Sequence, residues 1–167
     1  MAEVTRGSLV QRMIGASMLN VATYEEVEAD RTATGQAAAV VAIVAVAAAI
    51  GALGSGTDNI ITAPIRQLLW WAVASGVVYL IGTRLFGGTA DWGELLRTMG
   101  FAQAPGVLLV LGIIPVLGAI VGLVVGIWML VTAIVAIRQA LDVTTGKAVL
   151  TGLVAWIPLA ILGWIFR

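Results

Sequence analysis

Between Ser8 and Val21 the apolar positions recur with the 3.6-residue period of a helix, and from Gln36 onward they largely stop alternating with polar ones. In the first stretch Leu9, Val10, Met13, Ile14, Met18 and Val21 fall within about half of a helical circumference, with Ser8, Gln11, Arg12 and Gly15 opposite. This division predicts an amphipathic helix lying on a membrane surface, with Leu9, Val10, Arg12, Met13 and Ile14 as its membrane-surface candidates; Leu19 sits off the apolar face. Ser8 and Gln11 match the S-x-x-Q capping box that marks a helix start. A second box, Thr23 and Glu26, predicts that another helix begins there, with Glu25, Glu26 and Glu28 in its first turns. Carboxylates at that position complement the positive helix end, each for about 0.3–1 kcal/mol when exposed.

The remainder is dominated by apolar runs of the length that a hydrocarbon core of about 30 Å demands, roughly 20 residues. The alanine-rich run 36–53 has small side chains that let neighbouring helices approach closely, which suits the inside of a bundle. The run 65–83 follows Pro64, favoured in a first helical turn, and carries Trp70, Trp71 and Tyr79. Leu95 to Ile137 is too long for one crossing. Pro115, followed three residues later by Gly118, predicts a tight hairpin that divides it into spans 95–114 and 116–138. Pro105 is expected to kink the first of these, leaving it short or partly re-entrant. The last span, 147–166, contains Pro158 and ends on Trp164 and Arg167. The expected fold is all-α: a cytosolic leader, 1–34, carrying the interfacial helix and the acidic helix start, then a polytopic bundle of five transmembrane helices over 35–167.

Charge tests that count. With the N-terminus in the cytoplasm, Arg6, Arg12, Arg31, Arg84, Arg97, Arg138 and Lys147 fall on that side and Arg66 and Arg167 on the other, 7 against 2 of the nine basic residues. Four crossings would reduce the bias to 5 against 4, or to 6 against 3 with Arg167 inside. The C-terminus is therefore expected opposite the N-terminus. The 36 residues before the first apolar run lack the pattern of a secretory signal, so the leader is expected to stay on the mature chain.

Composition narrows the chemistry. A chain of 167 residues that is 60% hydrophobic cannot hide its apolar surface in one soluble core. Its net charge is zero and its basic residues are scattered, so nucleic acid is not an expected partner. Cysteine and histidine are absent, removing thiolate nucleophiles, imidazole ligands and near-neutral proton shuttles. No cofactor or metal site is expected. An intramembrane hydrolase would have to use Ser/Lys or paired carboxylates; Ser75 has no lysine expected in its half of the bilayer, and Asp91 with Glu94 reads as a solvated helix cap. A carrier ordinarily holds an ionisable residue at mid-depth, and none stands there. Gln67 and Gln103 are read as bonding neighbouring helices or lying near an interface.

Two groups of residues remain as interaction candidates. Glu25, Glu26, Glu28 and Asp30 form an acidic patch, read either as a helix start or as a docking surface or weak cation site, since Glu26 and Asp30 lie one turn apart and can share a partner. Gly118, Gly122 and Gly126 form a G-x-x-x-G-x-x-x-G ladder on one helix face, which lets backbones touch, either within the monomer or with another copy or a foreign subunit.

From Asp91 to Leu150 the order of features, Gly100-Phe101-Ala102, Pro105, Ile114-Pro115 with Gly118, Trp128, and Thr145-Gly146-Lys147-Ala148, resembles the Yip domain family. The leader TYEEVEADRTATGQ looks like that of bacterial members. The resemblance implies five crossings, a cytosolic N-terminus and residence in the inner (plasma) membrane. Eukaryotic relatives bind prenylated Rab GTPases, but the Asp-Leu-Tyr and Gly-Tyr motifs associated with them are missing, so Rab binding is not implied. The expected function is a non-enzymatic membrane scaffold or interaction protein, including an accessory subunit of a larger complex; the alternative is a transporter or channel for a small or lipid-like solute.

Overall fold

The structure, a computed structural model, describes residues 7–53, 61–114 and 116–165. Among these every regular element is helical: α1 (Leu9–Ser17), α2 (Val21–Ala29), α3 (Ala33–Gly51), α4 (Thr62–Leu85), α5 (Trp92–Phe101), a 3-10 segment (Ala104–Ile113), α6 (Leu117–Ala140) and α7 (Thr145–Ile165). Four of them, α3, α4, α6 and α7, are long and apolar enough to cross a membrane, and α5 with the 3-10 segment makes a fifth candidate span, bent by 40°.

The bend follows from Pro105. Proline has no N–H to give to the preceding turn, so the α-helix stops at Phe101 and the chain resumes as a 3-10 segment with the proline in its first turn. The expected kink is there, in the form of a break and a change of helix type. Pro115 lies outside the described residues; beside it, the reversal into α6 holds Val116 at φ 74°, a left-handed conformation that a β-branched residue adopts only under constraint. Pro64 falls in the first turn of α4, and Pro158 sits inside α7.

Close approaches give the direction of each segment. Along α3, Ala37 meets Gly100, Val44 meets Gly106, and Gly51 meets Leu109 and Gly112, so the bent pair runs beside α3 in the same direction and for its whole length. The pair therefore traverses the bundle instead of turning back. Antiparallel to it lies α4, through Gln67 with Gln103, Trp71 with Leu96 and Gly76 with Trp92. Gly152 with Ile137, and Gly163 with Trp70, set α7 antiparallel to both α6 and α4. Five segments alternate in direction, and the start of α3 and the end of α7 lie at opposite ends of the bundle.

The leader departs from expectation. Its helix boundaries fall earlier than expected: α1 ends at Ser17, Leu19 takes a left-handed φ of 60°, and Asn20 starts α2 by accepting from the Ala22 N–H. The Ser8–Gln11 box caps α1 in both directions. The Thr23–Glu26 box does not form, because Asn20 has already begun the helix three residues earlier. Ala16, Tyr24 and Val27 of the leader are buried in one cluster with Val40, Val41, Trp71 and Phe101 of the spans, so the leader shares the core of the bundle.

Candidate functional site

The acidic stretch is organised by Arg12. Only 1% of Arg12 is exposed. Its guanidinium donates from Nε and Nη2 to Glu26 Oε1 at 3.2 and 2.8 Å, from Nη2 to Asp30 Oδ2 at 2.7 Å, and from Nη1 to Gln36 Oε1 at 2.8 Å. The planar fork thus ties α1 to the two carboxylates of α2 and to the start of α3, geometry that a lysine cannot match. Glu26 and Asp30 do share a partner, and it is a side chain of the same molecule. Burial alone would push the Glu26 carboxyl up, but the hydrogen bonds from Arg12 and from the Gly7 N–H, with the Arg12 charge, hold it below its ordinary value.

This corrects two expectations. Arg12 does not lie on an outward face: it is buried in the protein, where the carboxylates of Glu26 and Asp30 compensate its charge. Leu9 and Met13 likewise face inward, packed against the core, whereas Val10 and Ile14 are exposed. Nor do the acids sit in a first turn. Glu25, Glu26 and Glu28 occupy the middle and last turns of α2 and Asp30 is its C-cap, where the helix dipole does not favour negative charge.

The residue that compensates is Arg97, which carried no assigned role in the sequence. It is 4% exposed, and its Nε donates to the carbonyls of Val27 and Glu28 at 3.0 Å, with Nη2 also bonding Glu28 O. A guanidinium on the last carbonyls of α2 satisfies the orphan acceptors and neutralises the negative helix end. The available signal was its place on α5 between Leu95, Thr98 and Phe101, all buried. Asp91 and Glu94 form the capping box expected of them.

Glu28 stands apart. Burial, followed by the charges of Glu94 and Asp142, raises its carboxyl to about 7, with Glu25 adding to the effect and Arg97 opposing it. An acid whose folded pKa is raised keeps its proton in the folded chain at pH values where the unfolded chain has released it. Stability should therefore fall as pH rises from about 4.5 to about 7. Glu28→Gln should flatten that window in a melting-temperature series, whereas the loss expected from Glu26 has the opposite sign and appears as pH falls through and below the ordinary carboxylate range.

The same end of the bundle is fastened by Lys147 Nζ donating to Phe86 O at 3.0 Å and by Thr89 bonding Leu141 O and the Asp142 carboxyl. An open polar concavity of about 480 Å³ lies there, lined by Arg138, Gln139, Asp142, Val143, Thr144 and Thr145. Gln139 also reaches Glu25, at 3.4 Å. Among the described residues no group of three or more acids is placed to hold a metal ion.

The glycine ladder divides. A Cβ on Gly118 would come within 3.1 Å of the Gly112 carbonyl, so that residue serves the turn into α6; Gly122 and Gly126 have nothing within 4 Å of such an atom. Both face outward among exposed Leu123, Val124 and Ile127. Packing within the monomer accounts for Gly118 alone. Gln67 donates to Gln103 Oε1 at 2.9 Å, an inter-helix bond of the kind expected of each.

A family profile described as Yip1 domain matches residues 17–166. No curated protein and no solved structure matches the chain.

Proposed function

Because the chain belongs to the Yip1 domain family, we propose that this multi-spanning helical membrane protein acts as a scaffold that associates with other membrane proteins, or with further copies of itself, through the outer face of α6. Membership as an accessory subunit of a larger complex falls within the same reading. The observation that carries it is the bare backbone at Gly122 and Gly126. Two glycines one turn apart, open on the outside of an apolar helix, offer a surface that another helix can approach to backbone contact, and no segment of the described monomer uses it. The proposed setting is the inner (plasma) membrane, with the N-terminus and the Arg84, Arg97, Arg138 and Lys147 end in the cytoplasm, in keeping with the excess of basic residues there.

Gly122→Leu tests the assignment, because the new side chain meets nothing in the monomer. The variant should melt within about 0.5 kcal/mol of the parent chain yet lose its partners or its oligomer in mild detergent, as read by light scattering and by subunit identification after a native pull-down. Retained assembly in a normally folded variant would remove α6 from the interface.

A further inference from the structure

The tip of the α1–α2 hairpin is bonded to residues far along α6 from its charged end. The Trp128 indole N–H donates to the carbonyl of Ser17 at 2.8 Å, and the Tyr24 hydroxyl bonds the carbonyls of Ala16 and Thr132, at 3.1 and 3.4 Å. Arg138 is the only charged residue of α6. From it back to Trp128 is ten residues, which at the rise of an α-helix is about 15 Å; to Thr132 it is six, about 9 Å. Side chains of a helix incline toward its N-terminus, which carries the indole no nearer to Arg138. In a hydrocarbon core of about 30 Å the Ser17 carbonyl accordingly lies close to mid-depth.

The last carbonyls of α1 are all taken up within the fold. Ile14 O accepts from the Met18 N–H, Gly15 O from Asn20, Ala16 O from Leu19 and from Tyr24, and Ser17 O from Trp128. The αL residue of this Schellman turn is Leu19 where glycine is usual. Asn20 then covers the Ala22 N–H with its side chain and the Thr23 and Tyr24 N–H groups with its carbonyl. Re-entrant backbone at membrane depth is tolerated where it is buried in protein, and Ala16, Tyr24 and Val27 seat this hairpin in the core of the bundle.

The exposed side of α1 is graded in the same sense. Its polar members, Ser8 and Gln11, are at the N-terminal end beside the Arg12 cluster, with Val10, 61% exposed, between them; toward the tip it presents Ile14 and Met18, 55% and 74% exposed, before the exposed Asn20 at the turn. On α2 the exposed residues pass from Ala22 near the tip to Glu25, which reaches Gln139 beside Arg138.

From these relations we infer that α1 and α2 form a re-entrant hairpin, inserted into the leaflet on the Arg138 side, with Val10, Ile14 and Met18 in contact with lipid acyl chains. The five spans add helical cross-section to both leaflets, and the hairpin adds to one alone. The ion pairs of Arg12 close its mouth at the headgroup level, while Trp128 and Tyr24 hold its tip.

The chain has no cysteine, so single cysteines report without background. Met18→Cys and Ala29→Cys, placed at the tip and at the exposed C-terminal end of the hairpin, are reconstituted in phosphatidylcholine vesicles and labelled with a membrane-impermeant maleimide; parallel samples carry bimane. The thiol at position 18 should react on the order of tenfold more slowly than the thiol at position 29, each normalised to its rate in denaturing detergent, because the first lies out of water. Bimane at position 18 should be quenched best by lipid spin-labelled in the middle of the acyl chain, and bimane at position 29 best by a headgroup label. Equal reaction rates with headgroup quenching at both positions would place the hairpin on the surface and overturn the inference. Protection of the thiol at position 18 without acyl-chain quenching would mean that protein, not lipid, covers the strip, and would overturn it equally.

Discussion

Replacing Arg12 by methionine should lower the unfolding free energy by roughly 3 kcal/mol, the cost of removing one partner from a buried ion pair. The substitution keeps the aliphatic stem and deletes the guanidinium, leaving Glu26 and Asp30 one helical turn apart with no cation between them. Those carboxylates, 25% and 10% exposed, then repel each other and are incompletely solvated. Adding Glu26→Gln and Asp30→Asn to the same chain should recover part of the loss, since the penalty comes from stranded charge more than from a missing bond. Denaturant titration in mild detergent, arranged as a mutant cycle, measures both steps. A cost below about 0.5 kcal/mol, typical of an exposed pair, would return Arg12 to the surface.

A comparable loss is expected from Gly100→Leu. A Cβ on Gly100 would lie 2.7 Å from the Ala37 Cβ and 3.2 Å from the Ala37 Cα and carbonyl oxygen. The obstacle is backbone, which cannot rotate away, so α3 and α5 must separate along the contact that seats the bent crossing. Overpacking of this kind costs about 1–3 kcal/mol, and a full leucine belongs at the top of that range. Gly122→Leu, chemically the same change on a bare face, should leave the melting temperature in place. Thermal melts of the two variants side by side test whether the two glycines differ as their surroundings do; equal losses would contradict the described packing.

The long apolar runs, the S-x-x-Q and D-x-x-E caps and the break at Pro105 could be read from the chain because each depends on residues close in sequence or on backbone chemistry. Gln67 and Gln103 were legible for another reason: an amide within an apolar run has to find a partner on a neighbouring helix. Arg12 could not be placed. A helical wheel separates one face from another but does not say which faces protein, and here Val10 and Ile14 are exposed while the cation is buried. The start of α2 is misplaced for a related reason: the sequence points to Thr23 as the cap, but Asn20 takes the role because Leu19 turns the chain just before it, in a turn held by Tyr24 and by Trp128 of α6. Arg97 needed the C-terminus of α2, 69 residues away in sequence, to acquire a purpose. The glycine ladder showed that backbones can touch on that face, but only the surroundings of Gly118, Gly122 and Gly126 separate the one used by the monomer from the two left open.

On the proposed reading the bent pair makes one full crossing, so that five alternating segments would put the two ends of the bundle on opposite faces of the membrane. The most direct test uses the cysteine-free chain with a single cysteine added before Met1 or after Arg167, labelled in intact cells with an impermeant thiol reagent before and after permeabilisation. The C-terminal cysteine should react in intact cells and the N-terminal one only after permeabilisation. Reaction of both ends under the same condition would mean an even number of crossings and would contradict the traverse of α5 and the 3-10 segment.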